Sequence, residues 1–177
     1  MFEQKMFSLW MFMPMGFRLA LDRTDCALLQ ALQGNARLTV AELADRVSLT
    51  PSPCWRRIKR LEDSGLVRAY RAILSSEGLG YGVTAFVNIM MGSHDKDTST
   101  RFEQRLTEIP EIISCHHVSG KYDFLLEVVA VDLQAFGEFT RDVLQALPGV
   151  KEIYSSFSMK VLKDDRVLPV TAGANLD

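Results

Sequence analysis

Two helix-start signals lie close together in the N-terminal third of the chain. Thr39 and Glu42 form a capping-box pattern, in which each side chain can bond the free backbone N–H of the other residue. Pro51 follows Thr50, and proline suits the first position of a helix because the N–H that it lacks needs no partner there. The helix that begins after Thr39 must therefore be short, ending near Val47, and a tight turn must join it to the next helix.

A further helix and an extended segment complete this part of the sequence. Apolar residues at 28, 29 and 32 have helical spacing, with Asp22 as the expected N-cap and Gly34 near the expected end. Gly65 ends the helix that starts at Pro51, and loose alternation over 66–74 predicts an extended segment or wing. Residues 18–74 are therefore expected to form one domain of three helices and a wing.

The second half of the chain alternates between strand and helix patterns after a linker at 75–82. Strands are predicted over 83–91, 112–118, 124–131 and 150–161, and helices over 98–109 and after an Asp132 cap. The second helix is expected to place Leu133, Phe136, Val143, Leu144 and Leu147 on one face. The order β-α-β-β-α-β predicts a ferredoxin-like domain at 83–168, with both helices on one face of an antiparallel sheet, and a tail at 169–177. The fold class is therefore α+β.

The two halves of the chain differ in charge. The whole chain has a formal net charge of −2, but residues 18–80 hold ten Lys and Arg against seven Asp and Glu, whereas residues 81–177 hold nine against fourteen. A local excess of cations is what binding to polyphosphate requires. The basic half is therefore the part of the chain in which a nucleic-acid partner is expected.

The cysteines and the N-terminal segment give weaker indications. Cys26, Cys54 and Cys115 lie far apart, so neither a disulfide framework nor a zinc site is predicted, and a reducing cytoplasm suits them. Residues 1–17 hold an apolar run that Pro14 interrupts, too short for a bilayer span and without a small-residue cleavage site. We expect a disordered extension, which a start codon placed too early would also produce, and no membrane partner.

The helix predicted after Pro51 has two contrasting faces. Cys54, Ile58 and Leu61 recur at helical spacing and are expected to pack inward. Ser52, Trp55, Arg56 and Lys59 then point outward, with Arg57 and Arg60 on the flanks. Four cations within five positions repel one another on an isolated helix. An anionic partner is therefore expected on this face.

A DNA duplex fits this face because Arg can bond guanine in the major groove and both cation types bind phosphate. Ser52, Trp55 and Arg56 are expected near base edges, whereas Arg57, Lys59 and Arg60 are expected to hold phosphates. The candidate DNA-binding residues are Thr50, Ser52, Trp55, Arg56, Arg57, Lys59 and Arg60. The alternatives are a solvated charged face and, for Trp55, a ring half-buried against the wing.

The segment "LDRTDCALLQALQGNARLTVAELADRVSLTPSPCWRRIKRLEDSGLVRAY" and the later "VSGKYDFLLEV" resemble the Lrp/AsnC family. The resemblance covers residues 20–168. It implies a winged helix-turn-helix joined to a ferredoxin-like effector domain, dimers that assemble into tetramers or octamers, regulation by an amino acid, and no cofactor. "PCWRRIKRLEDSG" is similar to a cysteine-responsive branch, whereas "CHHVSGKYD" is nearer to the leucine-responsive type, so the effector stays open.

The family's effector loop corresponds to residues 120–123. Asp123 can accept bonds from an ammonium group, while a Gly120 turn and Ser155 or Ser156 can offer donors to a carboxylate. By resemblance His117 and Phe157 line the same cleft, which a neighbouring subunit completes. The candidate effector-binding residues are His117, Gly120, Tyr122, Asp123, Ser155, Ser156 and Phe157. The alternative is an ordinary hairpin in which Asp123 bonds local backbone amides.

The cluster Cys115-His116-His117 is the sequence's main candidate for reactive chemistry. On a strand, Cys115 and His117 share one face and His116 takes the other, and no carboxylate motif or phosphate loop accompanies them. We therefore predict neither catalytic residues nor a metal site. Two rival functions are a haem-precursor decarboxylase, since some of those enzymes resemble this family, and an effector-sensing assembly protein without DNA binding.

Overall fold

The computed structural model describes residues 19–93, 95–164 and 166–172, so the expectation for residues 1–17 lies outside the described part. The described residues fall into two compact units. The first takes the chain up to Ala72 together with segment 166–172, and the second is Ile73–Asp164. Residues 166–168 thus group with the first unit, whereas the sequence pattern had assigned them to the second.

Three helices make up most of the first unit's described residues: α1 at Arg23–Gly34, α2 at Val40–Arg46 and α3 at Pro51–Asp63. Capping boxes start α1, through Asp22 and Asp25, and α2, through Thr39 and Glu42. Thr50 precedes α3 in extended conformation but its side chain makes no capping bond, so Pro51 is the main start signal.

The inward face of α3 closes the core of this unit. Cys54 and Leu61 are fully buried and Ile58 nearly so, against Leu28 of α1 and Leu43 of α2. This confirms the inward face predicted from spacing. Burying one such aliphatic side chain stabilises the fold by about 1.5–3 kcal/mol, so apolar packing fixes the side of α3 that faces its neighbours.

Residues 66–74 form no strand. Gly65, with φ of +76°, ends the turn after α3, and the chain then runs exposed. A hydrogen bond of 2.9 Å from the Tyr70 hydroxyl to Glu62 holds the segment near α3. A strand needs a hydrogen-bonded partner, and the described residues of this unit supply none, so the wing is an extended segment.

The C-terminal segment returns to the first helix of this unit. The side chain of Gln33 accepts from the Leu168 N–H at 2.8 Å and donates to the Leu168 carbonyl at 3.0 Å. Gln30 donates to the Val170 carbonyl at 2.9 Å. Two side chains on consecutive turns of α1 thus hold the backbone of this segment, which the sequence pattern had divided between the second domain and a tail.

The second unit contains, among its described residues, a four-stranded sheet. Its elements are β1 at Val83–Met91, α4 at Lys96–Thr107, β2 at Ile112–His117, β3 at Phe124–Ala130, α5 at Leu133–Phe139 with a wider turn at Thr140–Leu144, and β4 at Val150–Phe157. The strand order is β2-β3-β1-β4 and each neighbouring pair is antiparallel. The ferredoxin-like fold is therefore confirmed.

Both helices cover the same face of the sheet. Alternate residues of β1, including Val87 and Ile89, join Leu126 of β3 in one buried cluster with Phe102 of α4 and Leu144 after α5. Leu133 does not join it, because it is the first residue after the Asp132 cap and its side chain is 62% exposed. The expectation that Leu133 shares the buried face is wrong.

Strand β4 ends earlier than its sequence suggests. The apolar pattern predicted a strand to residue 161, but pairing stops where Phe157 lies opposite Ala85, near the start of β1. One further bond joins the Ser158 N–H to the Thr84 carbonyl. The partner strand therefore sets the end of β4, and Met159 and Val161 beyond it are exposed.

We predict that Gly149→Ala destabilises the second unit by about 1–3 kcal/mol. Gly149 has φ of +77°, and an added Cβ would lie 2.4 Å from Thr98 Cγ2 and 2.9 Å from Met91 Cε. Chemical denaturation followed by circular dichroism measures the change. Gly34→Ala is the matched control, because a Cβ there meets nothing within 4 Å. Equal stability of the two variants would contradict the prediction.

Candidate nucleic-acid interface and effector site

The outward face of α3 is the main exposed basic surface among the described residues of the first unit. Trp55 is 54% exposed, and Ser52, Arg56 and Lys59 are exposed beside it, as is Thr50 before the helix. A shallow open groove on this face is lined by Trp55, Arg56, Lys59, Arg60, Asp63 and Ser64. More than half of the surface of Trp55 is thus available to a partner, which disfavours burial of its ring against the wing.

The two flanking arginines are bound within the protein. Arg57 Nη1 lies 2.6 Å from Asp22 Oδ2 and 2.8 Å from Asp25 Oδ1, and Arg60 Nη2 lies 2.5 Å from Asp25 Oδ2. The sequence analysis expected both arginines to hold phosphates. In this structure each guanidinium instead has a carboxylate partner contributed by the start of α1, so a phosphate contact would have to replace an ion pair within the protein.

The remaining cations of α3 are more available. Lys59 pairs with Asp63 one turn later at 2.8 Å, but both side chains are more than half exposed, and such pairs contribute little to stability. Arg56 has no ion-pair partner among the described residues. Lys59 and Arg56 are therefore the cations of α3 that an anionic partner meets first.

Hydrogen bonding keeps Asp22 and Arg57 ionised. The backbone N–H of Asp25 and the guanidinium of Arg57 lower the pKa of Asp22 below its usual value. Bonds to Asp22 and Asp25 raise the pKa of Arg57 further above its usual value. The Asp22–Arg57 pair thus stays charged throughout the neutral pH range.

The predicted effector loop is a closed turn between β2 and β3. The Val118 N–H donates to the Asp123 carbonyl at 2.9 Å, and Gly120 has φ of +125°, which favours glycine. The carboxylate of Asp123 accepts from the Met91 N–H at 2.7 Å. Asp123 therefore ties the loop to the end of β1, through an amide of another strand rather than the local amides of an ordinary hairpin.

Aromatic side chains surround this loop. His117 stacks on Phe124 with ring centres 5.0 Å apart, and Tyr122 stacks on Tyr154 of β4 at 6.3 Å. Lys121 Nζ lies 4.9 Å from the centre of the Tyr122 ring. Sequence reasoning missed Lys121 and Tyr154. The pattern of β4 could have indicated Tyr154 as an exposed aromatic, but its pairing with Tyr122 depends on strand register.

The structure does not gather all seven predicted effector residues in one chain. Ser155 and Phe157 lie opposite Val87 and Ala85, on the helix-covered side, whereas Ser156 lies opposite Phe86 on the other side. Phe157 contacts Phe136 of α5 edge-on, with ring centres 5.1 Å apart. We call His117, Gly120, Tyr122 and Asp123 the loop group, and it lies at the opposite end of β1 from Phe157.

The Cys115-His116-His117 cluster splits as predicted. Cys115 lies opposite buried Leu126 and His117 opposite Phe124, so the two share a side, and His116 takes the other. Although Cys115 is exposed, desolvation by the surrounding protein, with a smaller contribution from Glu103, raises the pKa of its thiol to about 11, which disfavours the nucleophilic thiolate. Within the described ranges, no three His, Cys, Asp or Glu side chains form a metal-binding group. In the same ranges no helix has the length and hydropathy to cross a bilayer.

Comparisons with known proteins match both units. Residues 21–68 match a winged helix-turn-helix DNA-binding family, and residues 84–168 match the Lrp/AsnC ligand binding domain. The DNA-binding transcriptional activator DecR of Escherichia coli K12 is 38% identical over 150 residues, spanning 85% of this chain and 99% of the relative. The comparisons thus support the regulator interpretation and not the decarboxylase alternative.

Solved structures agree with these matches. A transcriptional regulator from Neisseria meningitidis in complex with L-Met is 43% identical with a TM-score of 0.81, covering 84% of this chain and 96% of that chain. An AsnC family regulator from Agrobacterium tumefaciens is 35% identical with a TM-score of 0.79, covering 84% and 97%. The chain belongs to the Lrp/AsnC family of DNA-binding transcriptional regulators.

Proposed function

We propose that this chain regulates transcription of amino-acid metabolism genes by binding DNA through α3, with an amino acid as effector. The main support for this proposal is that Trp55, Arg56 and Lys59 are exposed on a helix whose opposite face is buried. A helix held by one side offers the other to a major groove, which is wide enough for it. The family matches over both units support the same assignment.

The residues of α3 divide by position. Ser52 and Trp55, in its first turns, approach base edges, and Arg56 beside them bonds a guanine. Lys59 lies one turn further along and holds a phosphate, exchanging its exposed partner Asp63 for the DNA backbone. Thr50, exposed before the helix, lies where backbone N–H groups of the N-terminus face phosphate.

Assembly supplies the affinity that one helix lacks. We infer a homodimer, built further into a tetramer or octamer, that places two copies of α3 in major-groove faces about 34 Å or a multiple of it apart. The two weak contacts then act jointly through effective concentration. An effector changes DNA affinity only if it binds one assembly state more tightly than another.

The loop group is the proposed effector wall. The Gly120 turn allows close approach of a ligand, and the Tyr122 and Tyr154 rings offer an apolar surface with hydroxyl groups at their edge. Phe157 lies at the opposite end of β1 from the loop group, and Ser155 is on the opposite side of the sheet from Tyr154. We infer that a second subunit brings its own residues to complete the cleft, which suits an effector that responds to assembly.

Three amino acids are the leading candidates for the effector. L-Met is bound to the Neisseria meningitidis regulator, which is 43% identical to this chain. L-Cys and L-Leu follow from the two branches that the sequence resembles. All three combine an ammonium group, a carboxylate and a short apolar side chain, so they suit a cleft with a polar turn beside aromatic rings.

We predict that Arg56→Gln weakens binding to promoter DNA and relaxes preference at one base-pair position, because Arg56 bonds a guanine. The slope of log K against log[salt] should change little, because no phosphate contact is lost. Fluorescence anisotropy with a promoter fragment at several salt concentrations, and a set of single-base variants, measures both.

Arg105→Gln is the control, because it removes the same charge from exposed α4 in the second unit. Equal effects of the two substitutions would show that net charge rather than α3 governs binding. Flat salt dependence of the unaltered protein would contradict the proposed function and favour the sensing protein without DNA binding.

We predict that one of L-Met, L-Cys and L-Leu raises the melting temperature, because a ligand at one hundred times its Kd stabilises the native state by about 2.7 kcal/mol. Tyr122→Ala should reduce the shift for that amino acid. Tyr81→Ala is the matched control, since Tyr81 lies before β1 and outside the loop group. A full shift in the Tyr122 variant would remove this residue from the effector site, and no shift with any amino acid would contradict an amino-acid effector.

A further inference from the structure

Asp22, Asp25, Arg57 and Arg60, here named the Asp–Arg cluster, join the start of α1 to the middle of α3. Its three ion pairs have lengths of 2.5–2.8 Å. At the centre is Asp25, whose side chain is only 1% exposed, and each of its oxygens receives a different arginine. The buried carboxylate of Asp25 therefore binds α3 at two positions, Arg57 and Arg60.

Because Asp25 is buried, losing the ion pair with either arginine is costly. A buried carboxylate is costly unless it is paired, and removing one partner of a buried pair is more damaging than replacing both. The Arg57 and Arg60 side chains are 31% and 46% exposed, so their outer nitrogens still reach solvent. Moving either guanidinium onto a phosphate would nevertheless remove half of the charge that compensates Asp25.

The geometry of the cluster also sets the rotation of α3. Arg57 and Arg60 are three residues apart and lie on one side of the helix, so they approach Asp25 together. Apolar contacts of Ile58 and Leu61 tolerate small rotations, whereas two directed ion pairs to one carboxylate do not. The direction in which Arg56 and Lys59 point is thus tied to a residue of α1.

We propose that Asp25 is a positioning residue for DNA recognition: it holds Arg57 and Arg60 away from phosphate and fixes the rotation of α3, so that Arg56 and Lys59 make the DNA contacts. This inference depends on the proposed DNA-binding function. It reverses the simple expectation for a basic helix, in which each additional cation adds a phosphate contact.

Salt-dependent DNA binding of four proteins tests the proposal: the unaltered chain, Arg60→Gln, Asp25→Asn and the double variant. Arg60→Gln should leave the slope of log K against log[salt] unchanged. Asp25→Asn should steepen the slope on random-sequence duplex by about 0.9, the value of one new phosphate contact from the released Arg60. The double variant should return to the original slope, since the released cation is gone.

The ratio of promoter affinity to random-sequence affinity tests positioning. Asp25→Asn should lower this ratio by about five-fold or more, the discrimination that one base contact supplies. Asp45→Asn, on the exposed surface of α2, removes the same charge and should leave the ratio unchanged. Thermal unfolding identifies a variant that fails to fold, and Arg60→Gln remains informative in that case because Arg57 still pairs with Asp25.

Three outcomes overturn the inference without touching the proposed function. They are a slope that falls for Arg60→Gln by about the value of a phosphate contact, a slope that does not rise for Asp25→Asn in a folded protein, and equal ratios for Asp25→Asn and Asp45→Asn. Failure of the unaltered chain to bind DNA with any salt dependence would instead overturn the proposed function.

Discussion

The attachment of α3 by one side is the constraint on which the first unit depends. Cys54 and Leu61 supply the apolar part of that attachment, and Asp25 supplies the ionic part. A helix held in both ways has little freedom to rotate about its axis. The direction of its exposed face is therefore fixed by the contacts of its buried face. Specific reading of a base sequence needs such rigidity, because contacts to base edges fail when a side chain is displaced by about 1 Å.

The sheet of the second unit supports the proposed effector site. One face is covered by α4 and α5, while the loop group lies where β2 and β3 join, beside Tyr154 on β4. The proposed effector residues thus lie on strand ends and a tight turn, which give them rigid support while leaving them open to the approach of another subunit. The two units therefore separate recognition of a stable, charged polymer from recognition of a small metabolite.

Local chemistry made much of this architecture predictable. The capping box of Thr39 and Glu42, the Pro51 start and the inward spacing of α3 depend on residues within a few positions of one another. The ion pairs of Arg57 and Arg60 were not predicted, because their partners lie more than thirty residues away and charge alone does not reveal a tertiary ion pair. The end of β4 and the Tyr122–Tyr154 contact likewise follow from strand register, which sequence periodicity does not specify.

The bonds from Gln30 and Gln33 to segment 166–172 make the first unit discontinuous in sequence. During synthesis the ribosome releases α1, α2 and α3 early, and these helices can pack long before the final residues emerge. The three helices therefore lack the contacts with segment 166–172 until the whole sheet domain has been translated. Folding of the first unit therefore begins before the second unit is synthesised and is completed after it.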